Sequence, residues 1–221
     1  MALQEVAMKT TVHQRLAASV SAVLLSAGAC LAGAAPAHAQ ELCFGAEATI
    51  AGTAGDDVLI GTDAADVIIG FGGDDIIYAR DGTDVVCAGA GVDVVWGGAD
   101  RDRLEGQGGP DFMHGEDGND QIFGGNGFGW LRGGPGDDVL VGGPTFDFLE
   151  GGRGVDIVLG DAGDDRLAGG VDDDYLDGGG GHNNNDGGPG ADLCLAPGAG
   201  ERAVSCETGS PPVEERLRWN E

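Results

Sequence analysis

Fourteen aspartates recur along this chain at intervals of nine residues or eighteen: Asp57, Asp66, Asp75, Asp84, Asp93, Asp102, Asp111, Asp120, Asp138, Asp147, Asp156, Asp165, Asp174 and Asp192. Carboxylates are hard oxygen donors, so a regular row of them invites a hard multivalent cation. A paired-carboxylate glycosidase is left open by the count of acids alone. The even spacing argues against it, because every acid then stands in a ladder that a metal would neutralise.

The elements that must position these acids follow from the period. From Gly52 to Leu195 the chain is sixteen nonapeptides without insertion or deletion. Glycine opens fourteen units, aspartate fills the sixth place in fourteen, and the eighth place is apolar in all but one. The first six places suit a turn, since glycine permits positive φ and close approach of carbonyls. The last three, such as Val139-Leu140-Val141, suit a very short strand with the eighth residue inward. Such strands cannot stand alone, so the units must stack. The expected fold is all-β: a right-handed parallel β-roll with two short-stranded parallel sheets, two nonapeptides making one 18-residue coil, and small caps.

Stacking sharpens the choice of metal. At a strand spacing of about 4.8 Å, each Asp lies over the Asp eighteen residues away. Two unit charges there repel by roughly 1 kcal/mol in water and about 3 at an effective dielectric of 20. A divalent cation reverses that sign. Calcium takes six to eight oxygens from carboxylates and backbone carbonyls, whereas magnesium demands a tight octahedron. Zinc prefers His or Cys. Multiple calcium ions are therefore the expected cofactor and partner, with the fourteen aspartates as ligands.

These residues carry a resemblance. The pattern G-G-x-G-x-D-x-U-x, clean at Gly133–Val141, Gly151–Leu159 and Gly187–Leu195, resembles the hemolysin-type calcium-binding (RTX) repeat family. The resemblance implies metals between successive turns on one side, held by sixth-place aspartates and turn carbonyls. That module usually accompanies a toxin or hydrolase and leaves by a C-terminal signal. This chain departs on both points, which puts a toxin or protease role in doubt.

The two sides of the roll are unlike. Even-numbered units supply an unbroken column: Asp66, Asp84, Asp102, Asp120, Asp138, Asp156, Asp174 and Asp192. The odd column is interrupted by Gly129 and Asn183, leaving the pairs 57/75, 75/93, 93/111 and 147/165. Calcium is expected fullest on the even side and weakest around Gly127–Gly129 and His182–Asn185. Asp100 and Asp172, in the fourth place, are read as solvated turn residues, with an added ligand as the alternative.

The flanks differ in composition. Residues 1–39 hold Lys9, Arg15, an apolar run from Leu16 to Ala35 and Ala37-His38-Ala39, the layout of a secretory signal peptide. Alternatives are an uncleaved anchor or lipidation at Cys30. Residues 40–51 read as an N-terminal cap, 52–195 as the roll and 196–221 as a C-terminal cap and tail. Glu214–Arg218 reads as a short frayed helix or a disordered tail. Removal of the signal leaves Cys43, Cys87, Cys194 and Cys206, an even set suited to an oxidising compartment. Three connectivities are possible; Cys43–Cys87 and Cys194–Cys206 are expected, each tying a flank to its nearest end of the array.

Charge and content set the remaining limits. Acids outnumber Lys plus Arg by 38 to 11, a formal charge of −27, which disfavours nucleic acid and anionic membrane as partners. No later apolar run reaches bilayer-spanning length. Catalytic parts are few: His114 and His182 are isolated, and there is no Gly-x-Ser-x-Gly and no His-Glu-x-x-His. His182–Asp186 reads as a decayed repeat. Tyr78, Trp96, Trp130 and Tyr175 read as outer-face packing, with a sugar-binding surface as the alternative. The expectation is a secreted, extracellular, non-catalytic calcium-binding protein. A surface or matrix adhesion spacer with a cell-surface or polysaccharide contact is the second reading, and an extracellular hydrolase the third.

Overall fold

A computed structural model describes residues 42–195 and 202–206 of the chain. The signal segment, Cys30 and the Glu214–Arg218 run lie outside the described residues. Two compact units are distinguished, residues 1–47 and 48–221. Within the first, Leu42–Cys43 and Ala46–Glu47 pair as a small antiparallel hairpin. Its turn sits on Phe44 and Gly45, both at positive φ.

The second unit is the parallel β-roll. Its strands fall alternately into two nine-stranded parallel sheets. One sheet holds the odd units, from Val58–Ile60 through Asn184–Asp186; the other holds the even units, from Val67–Gly72 through Leu193–Leu195. Partners are always eighteen residues apart, as in Met113↔Leu131 and Leu140↔Val158. Each sheet gains one strand beyond the sixteen units. Ile50–Ala51 pairs with Ile68 and Ile69, and Arg202–Val204 pairs with Asn184–Asp186. The stacking thus runs into both expected caps, because an open sheet edge is satisfied by any chain that follows in register.

Strands are longer than the three places expected of them. Many run five to seven residues, as in Asp111–Asp117 and Gly129–Pro135. Pairing continues past the unit boundary to the second and third places, for example Phe71↔Gly89 and Gly72↔Ala90. A left-handed residue at the second place turns the chain without ending the ladder. Glycine usually supplies it, but Phe71, Arg80, Gln107, Glu116 and Asp161 adopt the same φ of 67–84°.

Between the sheets lies a single file of eighth-place side chains from Leu59 to Leu176, nearly all fully buried. Asn185 occupies the file near its C-terminal end, and its amide Nδ2 donates to the Leu195 carbonyl. A core one side chain thick is what a chain of 5 % aromatics and 45 glycines can build. Each side chain touches mainly its own coil and the two adjacent coils, so stability accrues coil by coil. At the C-terminal end, the disulfide Cys194–Cys206 joins the inward position of unit sixteen to the segment after Arg202–Val204. Cys43 and Cys87 are each disulfide-bonded as well.

Candidate metal centre

The sixth-place aspartates stand at the bend between turn and strand, and from Asp66 to Asp192 every one is 7 % exposed or less. Their backbone carbonyls belong to the sheet: the Asp75 carbonyl accepts from Val94 N and that of Asp120 from Val139 N, each bond spanning nineteen residues. The backbone is thereby fixed at each Asp, and the two carboxylate oxygens meet different fates.

Oδ1 builds a ladder. The N–H of each even-column Asp donates to Oδ1 of the Asp in the next coil, from Asp66 N→Asp84 Oδ1 at 2.7 Å to Asp174 N→Asp192 Oδ1 at 2.9 Å. All seven steps are present. On the odd side the steps 57→75, 75→93, 93→111 and 147→165 form as well. Gly129 N still donates to Asp147, and Asp165 N donates to the amide oxygen of Asn183 at 2.8 Å. The ladder therefore fails at one step only: Asp111 N, lacking a carboxylate on Gly129, turns to the Phe128 carbonyl. Asn183 replaces the acceptor but not the charge.

Oδ2 is left over. In Asp75, Asp84, Asp93, Asp102, Asp111, Asp120, Asp138, Asp147, Asp156, Asp165 and Asp174 this atom is buried and receives no hydrogen bond. An anionic oxygen deprived of both water and donors is costly. The opening glycines aim a second oxygen at the same place. A Cβ on Gly160 would stand 2.6 Å from Asp165 Oδ2 and 2.7 Å from the Gly178 carbonyl oxygen; on Gly142 the figures are 2.7 Å to Asp147 Oδ2 and 3.0 Å to the Gly160 carbonyl. Carboxylate and carbonyl thus converge where a side chain would otherwise sit. Ala79 and Ala88 replace the opening glycine in two units, and no carboxylate oxygen converges at Gly61, Gly124 or Gly178.

The first coil is finished differently. Asp57 Oδ2 accepts from Thr53 N at 2.6 Å and Thr53 Oγ1 at 2.9 Å, and Asp66 Oδ2 accepts from Thr62 N and Oγ1 at 2.7 and 2.8 Å. With donors in place, mainly the Thr62 backbone N–H, the Asp66 carboxyl is held below its usual range. In the deeper coils the direction reverses. Burial, reinforced by the neighbouring carboxylates, lifts Asp84, Asp120 and Asp147 to about 6 and Asp111, Asp138, Asp165 and Asp174 to about 7. Asp102 and Asp156 rise to about 8. The ladder hydrogen bonds oppose the rise without cancelling it. Such groups resist carrying charge unless a cation is supplied.

Asp100 and Asp172 lie exposed at the turn surface with φ of 74° and 86°, as solvated turn residues do. A second ladder went unread in the sequence. At the fifth place, Oδ1 of Asp56, Asp74, Asn119, Asp137, Asp164 and Asp173 accepts from the fifth-place N–H of the next coil, as in Val92 N→Asp74 Oδ1 at 2.9 Å. It runs opposite in sense to the inner one. The double Asp-Asp of units such as 74–75 and 137–138 is its sequence signal. Tyr78 and Trp96 stack on one another at 4.6 Å, Tyr175 is buried in the other sheet, and Trp130 joins a different group of rings.

Orphaned carboxylate oxygens beside backbone carbonyls form an all-oxygen donor set. Among the described residues no three His, Cys, Asp or Glu side chains converge as a side-chain metal centre, so the carbonyls must complete any coordination. That donor set fits calcium. Fold and site together define a calcium-binding parallel β-roll.

The match to known families agrees. The family described as RTX calcium-binding nonapeptide repeat matches residues 51–86, 60–95, 88–104, 96–131, 132–167 and 159–194. The chain belongs to that family. No curated protein matches it.

Proposed function

We propose that the chain is a secreted, non-catalytic protein that folds its roll on binding multiple calcium ions. The ligands would be Asp57, Asp66, Asp75, Asp84, Asp93, Asp102, Asp111, Asp120, Asp138, Asp147, Asp156, Asp165, Asp174 and Asp192, completed by first-place carbonyls. The observation that carries this is the row of buried Oδ2 atoms without donors. Bound calcium supplies the positive charge that lets these acids ionise inside the roll. Asp57 and Asp66 already have their Oδ2 atoms held by threonines, so they serve chiefly as ends of the columns. The even side, with its complete ladder, holds the larger share of ions.

Secretion is supported by the signal-like residues 1–39 and by the disulfides, which persist in oxidising compartments. The absence of catalytic function is supported by the commitment of the buried acids to the ladder. In this reading 40–51 and 196–221 act as caps to the roll.

Circular dichroism of the chain, freed of metal and then titrated with calcium near neutral pH, tests the reading. β-Structure should rise cooperatively at millimolar calcium and not with magnesium. A spectrum equally rich in β-structure in chelator and in calcium refutes coupled folding.

A further inference from the structure

The outer face of the odd-unit sheet carries five aromatic rings in mutual contact. Trp130 lies between Phe112 and Phe148, with centroids 6.0 and 5.7 Å apart and both tilted by 33°. Phe128 meets Phe112 and Phe148 edge-on, and Phe146 closes the group at 4.9 Å from Phe148. The parallel register puts Phe112, Trp130 and Phe148 in one seventh-place column. Phe128 and Phe146 take the fifth place, where Asp56, Asp74 and Asp164 stand in other odd units. Here the polar outer ladder gives way to rings. They remain open to solvent: Trp130 is 51 % exposed, Phe112 39 % and Phe146 38 %.

Two residues further along the same strands, and on the same face by alternation, stand His114, Arg132 and Glu150. They line an open groove of about 780 Å³ that also takes in Arg80, Glu116 and Arg153. Aromatic strip and groove lie side by side. One offers exposed aromatic rings; the other offers donors and acceptors of both charges.

The occupant can be argued from charge and area. A formal charge of −27 repels polyanions. At about 4.8 Å per coil, the apolar seventh-place column from Val58 to Phe148 is roughly 25 Å long and one side chain wide. A stable dimer needs about 800 Å² from each partner. A long, narrow, uncharged ligand with apolar faces and polar edges fits better. Extended chains of equatorial pyranoses have that form: axial C–H groups make the faces and hydroxyls the edges. Ring centroids follow one another at 6.0 and 5.7 Å along the column. We infer that this face binds a neutral β-1,4-linked polysaccharide lying along the stacking direction, with sugar rings on Phe112, Trp130 and Phe148 and hydroxyls bonded to His114, Arg132 and Glu150.

The test uses the full calcium-loaded chain and two soluble probes, the hexamers of β-1,4-linked glucose and of β-1,4-linked N-acetylglucosamine. Isothermal titration should show one of them binding. Trp130→Ala and Phe112→Ala should each weaken that binding by about tenfold or more, while Phe123→Ala, an aromatic change on the other sheet, leaves it unchanged. Calcium-dependent circular dichroism reports separately that each variant still folds. Binding of neither hexamer at millimolar concentration overturns the proposal, as does binding that both strip variants retain. A chain that sediments as a dimer in calcium, and as a monomer after Trp130→Ala, assigns the strip to a second copy instead and also overturns it.

Discussion

Asp138 shows how one side chain serves two ends. Its Oδ1 accepts the Asp120 N–H at 2.8 Å, and its Oδ2 is buried without a donor. Asn183 demonstrates that an amide oxygen can do the first task. Asp138→Asn should therefore keep the ladder and lose the ionic one. In metal-free solution near neutral pH this variant should be as stable as the parent chain or more so, because a buried anion is gone. In calcium it should bind fewer ions and unfold at lower urea. Asp138→Ala strips the acceptor from a buried N–H as well and should cost about 1–3 kcal/mol more. Calcium titration calorimetry and urea unfolding of the two variants separate the roles; equal behaviour of both in calcium would contradict this division.

Columns, not single acids, are the functional elements. The odd ladder fails only at Gly129, where Asp111 N pairs with the Phe128 carbonyl. A Cβ there would stand 3.2 Å from Asp147 Oδ1, a contact relieved by a shift of a few tenths of an ångström. Gly129→Asp should rejoin the two halves of the column, add calcium to the measured stoichiometry, and raise the melting temperature in calcium but not in chelator. A stoichiometry that stays at the parent value would argue that the break lies in the turn and not in the missing acid. The end of the stack is held covalently. Cys194–Cys206 spans twelve residues of sequence, and a loop of that size restrains the unfolded chain by roughly 3 kcal/mol in the chain-entropy estimate. Cys206→Ser should show early hydrogen exchange in the last coils while the middle of the roll remains protected.

For the whole molecule, stability should depend on pH and calcium together. The buried acids have pKa values raised from 3.8 to between about 6 and about 8 in the metal-free roll, chiefly by desolvation. A raised folded-state value contributes stability that is full below the unfolded value and is lost as pH climbs through the folded one. The metal-free chain should accordingly be β-rich near pH 4 and lose structure on the way to about 8. Calcium should restore it at the upper end and release protons on binding. Far-UV circular dichroism of the desalted chain across that range is the check. Structure gained on raising the pH without metal would have the wrong sign for this account.

The period alone determined the path of the chain. A nine-residue repeat with an apolar eighth place and an aspartic sixth place can bury its file of side chains only by stacking eighteen residues at a time. The core from Leu59 to Leu176 and the two unequal acid columns follow from that register. Tertiary structure decided what register cannot specify. It set which oxygen of each carboxylate is spent on the next coil and which is left over, since that depends on the bend at each Asp. It recruited Thr53 and Thr62 to finish the first coil, where their N–H and hydroxyl groups occupy the Oδ2 atoms of Asp57 and Asp66. It drew Phe112, Phe128, Trp130, Phe146 and Phe148 into one strip from the fifth and seventh places of three different units. Rings sixteen to twenty residues apart in sequence meet there because stacking brings every eighteenth residue within about 5 Å, and side chains at two places lean across the same coil boundary.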